Sequence, residues 1–250
     1  MTRLRQICFA VWALCLGGAA LTAAAAGPAA SGRCEAQSPA QRQTVVELYT
    51  SEGCNSCPPA DKWLSTLKSR PGVLAAAFHV DYWNNLGWED RFSSARYTRR
   101  QADNQVRSGA RFNYTPQVVA NGQDWHNWPR LPEANPAATV RISLQRQSPT
   151  RLLAEVTPLP GAPAKLGLWW ARLEDGHESA VRAGENVGVT LRHDHVVRDY
   201  AELPGWANAG VHALTLETGA AAPRQPGARW LVVVTDGPGG APLQAVEIGC

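Results

Sequence analysis

The spacing of apolar residues changes twice along this chain, and each change predicts an element. Thr44-Val45-Val46-Glu47-Leu48-Tyr49-Thr50 reads as a strand. Ala60, Trp63, Leu64 and Leu67 then recur at i, i+3, i+4 and i+7, the apolar face of a helix ending near Ser69-Arg70-Pro71-Gly72. Residues 73–82 form a continuous apolar run of the kind a buried parallel strand needs. Phe92, Ala95, Ala102 and Val106 make the stripe of a second helix over residues 88–106, interrupted by Arg99. Residues 117–120 and 123–128 flank Asn121-Gly122, the favoured two-residue hairpin turn. The order is β-α-β-α-β-β. Pro129, Pro132 and Pro136 then punctuate the chain, and a domain boundary is placed there. Beyond it, short strands are predicted over residues 140–146, 151–157, 165–173, 189–199, 211–218, 230–235 and 243–248. Gly/Pro-rich turns separate them, the pattern of a β-sandwich. Trp169, Trp170, Trp206 and Trp230 fit core or inter-domain packing.

The chemistry sits at the end of the first strand. Cys54-Asn55-Ser56-Cys57, followed by Pro58-Pro59, puts two thiols at a strand–helix junction. A helix N-terminus offers free N–H groups and about half a unit of positive charge, which lowers a thiol's pKa below its free value of about 8.5. Cys54 as a thiolate attacks disulfides, and Cys57 resolves the mixed disulfide. The expected activity is thiol–disulfide oxidoreduction, with no cofactor. The two prolines qualify the dipole's pull: Cys57 precedes Pro58 and is biased away from helical dihedrals, so the helix starts late.

Compartment changes what a CxxC means. Residues 1–30 carry Arg3 and Arg5, an apolar run over residues 7–21 and small residues over 23–30, the pattern of a secretory signal. The run is short and rich in Ala and Gly for a membrane span; an uncleaved anchor is the alternative. The expected layout is a signal peptide over 1–30, an α/β domain over 31–135 and a β domain over 136–250, periplasmic or secreted. Losing Arg3 and Arg5 takes 24 basic against 21 acidic residues to 22 against 21, a net charge near +1. No basic field marks nucleic acid or anionic lipid as a partner. The expected partners are protein thiols or disulfides and a redox partner.

Cys8 and Cys15 leave with the signal, and the remaining Cys34, Cys54, Cys57 and Cys250 allow three pairings. A Cys54–Cys57 pair leaves Cys34 with Cys250, a terminal staple worth on the order of 5 kcal/mol in the loop-entropy model. Free thiols at the two ends are the alternative.

The runs Val46 to Asp61, His79-Val80-Asp81-Tyr82-Trp83, Leu86-Gly87-Trp88-Glu89-Asp90-Arg91-Phe92 and Tyr114-Thr115-Pro116-Gln117-Val118-Val119 carry a resemblance. So do Gly184-Glu185-Asn186 and His195-Val196-Val197-Arg198. On these residues the chain resembles a bacterial secreted thioredoxin-like family, domain of unknown function 1223. The resemblance implies an α/β thioredoxin-like fold with an appended β-rich region, and no established substrate. It also implies that Thr115-Pro116 carries a cis proline beside the CxxC, where the backbone of Thr115 pairs with a substrate strand.

Several residues keep two readings. Glu47 lies seven residues before Cys54, one more than the buried acid of thioredoxins. One residue reverses a strand's face, so Leu48 takes the relay position and Glu47 is a locally paired carboxylate. Trp83 and Trp88, with His79, Asp81 and Tyr82, either shape a substrate groove at the strand ends or cap the core. His193 and His195 share a strand face and, with Cys54 and Cys57, suit copper or zinc. No third ligand lies nearby, and no metal site is assigned. Metal delivery and a non-catalytic binding module remain the alternatives to oxidoreduction.

Overall fold

The computed structural model describes residues 34–133, 136–218 and 227–250. The expected signal segment lies outside them. The chain runs β1 (Glu35–Gln37), β2 (Thr44–Thr50), α1 (Pro58–Ser65), β3 (Val73–His79), α2 (Ala95–Ser108), β4 (Gln117–Ala120) and β5 (Gln123–Asp124). There follow β6 (Val140–Ser148), β7 (Arg151–Pro158), β8 (Lys165–Glu174), β9 (His177–Ala180), β10 (Thr190–His193) and β11 (Val196–Ala207). The last strands are β12 (His212–Glu217), β13 (Arg229–Asp236) and β14 (Pro242–Ile248).

Among the described residues two α-helices stand against fourteen strands, which corrects the expected fold. An α/β thioredoxin-like β-α-β-α-β-β core followed by an all-β sandwich does not form. Strands from both halves enter one eight-stranded sheet, ordered β14-β13-β8-β11-β3-β2-β4-β5. A second sheet, β1-β6-β7-β12, and a ribbon of β10 and β9 account for the other strands of the described residues. The reason lies at the edge of β3. Its parallel pairing with β2, from Thr44↔Val73 to Thr50↔His79, leaves its far edge open. An apolar edge of that length must be covered or paired. The start of β11 pairs with it: Val196 aligns with Ala77, and the Ala77 N–H donates to the His195 carbonyl at 2.8 Å. β8 and β13 then extend the sheet antiparallel from β11.

Side-chain alternation builds the core on both faces of this sheet. Tyr49, Phe78, Trp169, Tyr200, Leu231 and Val233 share one face with Tyr97 of α2. On the other face, α1 covers β2, β3 and β4 through Trp63, Leu64, Val46, Leu48 and Val118. The smaller sheet covers β8, β13 and β14 through Ile142, Leu144, Ala154, Trp170, Val232 and Val234. The large sheet curls until its ends meet. The Asn121-Gly122 turn reaches the start of β14, where a Cβ on Gly122 would stand 3.2 Å from Ala241 Cα. Gly122 has φ +81°, as the predicted turn requires. A Cys34–Cys250 disulfide joins residues 216 apart.

Glu47 settles by parity. It shares a face with Tyr49 and pairs with Arg100 of α2, with Nε to Oε2 at 2.9 Å and Nη2 to Oε1 at 3.0 Å. Leu48 packs on the α1 side.

Candidate functional site

Cys54 and Cys57 form a disulfide between the end of β2 and the start of α1. Both residues are 0% exposed, while Asn55 and Ser56 between them face solvent. The Ser56 hydroxyl lies 3.4 Å from Cys54 Sγ. The helix N-terminus is less generous to Cys54 than its position suggests. Cys57 is the N-cap; Pro58 and Pro59 have no N–H to give, and the N–H groups of Ala60 and Asp61 both donate to the Cys57 carbonyl. The Cys57 N–H donates to the Cys54 carbonyl at 3.2 Å.

Two loops hold this turn. Trp83 packs against Gly53, where an added Cβ would come within 3.0 Å of Trp83 Cβ, and its indole N–H donates to Thr115 Oγ1 at 2.8 Å. Thr115-Pro116 is a cis peptide immediately before β4. The structure therefore brings Trp83, Thr115 and the CxxC turn together. Trp88 lies on the other side, donating its indole N–H to Glu52 Oε2 at 2.8 Å. The second loop comes from the C-terminal half. The Asn186 amide, itself buried, donates to the carbonyls of Glu52 at 2.8 Å and Cys54 at 3.0 Å. Glu185 Oε2 accepts the Asn55 N–H at 3.1 Å.

Behind the disulfide lies a buried set of ionisable groups that sequence reasoning did not assemble: Glu52, Asp61, His79, Asp90 and His193. His79 Nδ1 meets Asp90 Oδ2 at 2.7 Å, and Asp90 also accepts the N–H groups of Glu52 and Phe92. Burial opposes the Asp90 charge, but His79 and these N–H groups outweigh it and lower its pKa. Burial equally opposes a charged His79, and Asp90, with Asp61 and Glu52, overcomes it and raises its pKa. The Glu52 carboxyl is lowered despite burial, by His193, Ser179 and Trp88. Asp61 is the exception: burial raises its pKa against the pull of His193, His79 and the Thr50 hydroxyl, whose bond to Asp61 Oδ2 is 3.0 Å. The His79 and His193 rings meet edge to face with centroids 4.9 Å apart. His193 Nε2 stands 3.3 Å from Glu52 Oε1.

The His193/His195 pair does not converge. A left-handed His195, φ +57°, turns the chain between β10 and β11, and its Nδ1 meets Arg229 at 2.6 Å while His193 faces Glu52. Glu185 lies 130 residues from Asn55, and Asn186 132 from Cys54, the residues they bond, which hides them from any local pattern. Their one signal in the sequence is the Gly184-Glu185-Asn186 run that shares in the family resemblance. Gly184 adopts φ +73° and lies against Trp88.

The family model for proteins of unknown function designated DUF1223 matches residues 45–235. The chain belongs to this family. The match encloses the CxxC turn, both loops that hold it and the buried cluster, but neither Cys34 nor Cys250. A comparison with curated proteins finds no match. Two solved structures are similar. A crystal structure of a protein from Agrobacterium tumefaciens is 24% identical with a TM-score of 0.63, covering 83% of this chain and 94% of that one. HBP35 of Porphyromonas gingivalis is 15% identical with a TM-score of 0.57, covering 84% and 76%. At these identities the likeness of this DUF1223 protein to both is one of fold.

Proposed function

We propose that this DUF1223 protein is an exported thiol–disulfide oxidoreductase acting on protein thiols or disulfides through the Cys54–Cys57 couple. The observation that carries the reading is the placement of that pair. It spans a strand–helix turn against which Trp83 packs, and the same Trp83 is hydrogen-bonded to Thr115, beside Pro116. That juxtaposition is the finer part of the resemblance to thioredoxin-like proteins, and here it concerns the site alone. In the reducing direction the Cys54 thiolate attacks a substrate disulfide, one substrate sulfur leaves as a thiolate, and Cys57 then displaces the other, giving the Cys54–Cys57 disulfide and a substrate dithiol. The oxidising direction is the reverse, and Cys57 takes up a proton as it is released. Thr115-Pro116, Trp83 and Trp88 flank the partner chain. Export in this reading rests on residues 1–30 and on the preference of disulfides for oxidising compartments.

One observation favours a second reading. Both cysteines are 0% exposed, as in a fixed staple within a non-catalytic binding module. A Cys57→Ser variant expressed in the exported compartment separates the two. Oxidoreduction predicts mixed disulfides between Cys54 and partner proteins, resolved by mass spectrometry; a variant that traps none supports the staple.

A further inference from the structure

We infer that Glu185, on the loop before β10, is a tuning residue that holds the Cys54–Cys57 couple toward the reducing end; the inference rests on the oxidoreductase reading above. Reducing the disulfide creates a thiolate at Cys54, and whatever stabilises that charge makes the couple a stronger oxidant. The usual sources of stabilisation are spent here. Pro58 and Pro59 have no N–H, the next two N–H groups of α1 go to the Cys57 carbonyl, and the Asn55 N–H goes to Glu185. The Ser56 hydroxyl, 3.4 Å from Cys54 Sγ, is the donor at hand.

The other ionisable groups around the turn are Glu52, Asp61, His79, Asp90 and His193. Two pairs form among them, Asp90 with His79 and Glu52 with His193, while Trp88 also donates to Glu52 and the Thr50 hydroxyl donates to Asp61. Glu185 is different. Its carboxylate is solvent-facing, comes from the far half of the chain and is bonded to the residue next to Cys54. With Oε2 3.1 Å from the Asn55 nitrogen, standard bond lengths place it within about 8 Å of Cys54 Sγ. A negative charge at that distance raises a thiol's pKa by roughly 0.4 to 1.5 units at low salt, across effective dielectric constants of about 80 to 20. The loop also takes up an N–H that would otherwise be free to face the thiolate. Both effects have the same sign.

The test compares wild type with Glu185→Gln, which keeps an acceptor oxygen for Asn55 and removes the charge. Glu178→Gln, an exposed glutamate on β9 paired with Arg192, is the control. On phosphine-reduced protein, the pH dependence of Cys54 alkylation, mapped by peptide mass, gives its pKa. In Glu185→Gln that pKa falls by about half a unit or more, the difference shrinks in molar salt, and Glu178→Gln matches wild type. At a pH well above the Cys54 pKa of both proteins, with glutathione as the redox buffer, each unit of pKa shift is a tenfold change in equilibrium constant, about 30 mV toward a stronger oxidant, and the change shrinks as the pH approaches the pKa. An unchanged Cys54 pKa in Glu185→Gln overturns the tuning role. If glutathione leaves the wild-type disulfide untouched, the oxidoreductase reading fails instead, and the alkylation measurement still decides the effect of Glu185 on the thiol.

Discussion

Asn186→Ala is the perturbation whose size can be worked most directly. The buried Asn186 amide makes two hydrogen bonds to the turn, at 2.8 Å to the Glu52 carbonyl and 3.0 Å to the Cys54 carbonyl. The Cys54 carbonyl keeps the Cys57 N–H at 3.2 Å, so the heavier loss falls on Glu52. At about 1 kcal/mol net per bond, the substitution costs roughly 2 kcal/mol. The cost falls on the joint between the loop at 184–189 and the CxxC turn, so local opening there becomes easier by the same amount. Cys54 is fully buried, and a thiol reaches it only from an opened state. Where opening and closing are fast relative to thiol attack, the reduction rate follows the open population, and about 2 kcal/mol raises both by roughly 30-fold. The assay is pseudo-first-order reduction by glutathione, followed by quenched alkylation of Cys54, beside urea denaturation of the same variant. Stability lowered with an unchanged reduction rate would refute the reasoning, because the cover over Cys54 would then lie elsewhere.

Other perturbations probe the frame around the site. Cys34→Ser opens a loop of 216 residues, and the chain-entropy model predicts a loss of about 5 kcal/mol, read as a large drop in the urea midpoint; an unshifted midpoint contradicts the staple. Glu47→Gln leaves the buried Arg100 with only Glu202, at 4.0 Å, as a carboxylate partner and costs up to about 3–5 kcal/mol in denaturant unfolding, while the glutathione equilibrium of Cys54–Cys57 stays at the wild-type value. A shifted equilibrium would make Glu47 part of the redox machinery. Two histidines give opposite pH signatures. Burial, with Arg229 beside it, pushes the His195 pKa down to about 4, so its contribution is present above pH 6.5 and is lost as pH falls toward 4, by about 1.4 kcal/mol per unit. The His79 pKa is raised, so its contribution is full below pH 6.5 and is lost as pH rises through the folded value. His195→Asn should flatten the acid limb of stability against pH and His79→Gln the neutral limb; curves that keep both limbs contradict the assignment.

The elements were largely legible from periodicity, and their assembly was not. β2 and β4 occupy the residues their patterns indicate, and the Asn121-Gly122 hairpin forms where its turn chemistry places it. Strands buried on both faces, such as β8 and β13, show no alternation that names a neighbour, so the joining of two expected domains into one sheet left no local trace. The 189–199 run is two strands in different sheets because His195 turns the chain between them. β9 escaped notice because Ser179 is its one buried side chain. The second helix begins at Ala95 rather than near residue 88: Asp90 spends its oxygens on the N–H groups of Glu52 and Phe92, and Ser94 caps the helix by accepting from the Arg96 N–H. At the site, the cysteines, Thr115 and Trp83 were readable as local motifs. Glu185, Asn186 and His193 were not, since only the closure of β11 onto β3 carries the preceding loop to the CxxC turn.

The central claim is that Cys54 and Cys57 cycle between dithiol and disulfide. Equilibration of the folded protein against glutathione buffers of graded ratio, with acid quench and mass-mapped alkylation, measures it directly. The account predicts a reversible transition confined to Cys54 and Cys57 while Cys34–Cys250 stays oxidised. A Cys54–Cys57 bond that remains oxidised throughout millimolar reduced glutathione contradicts it.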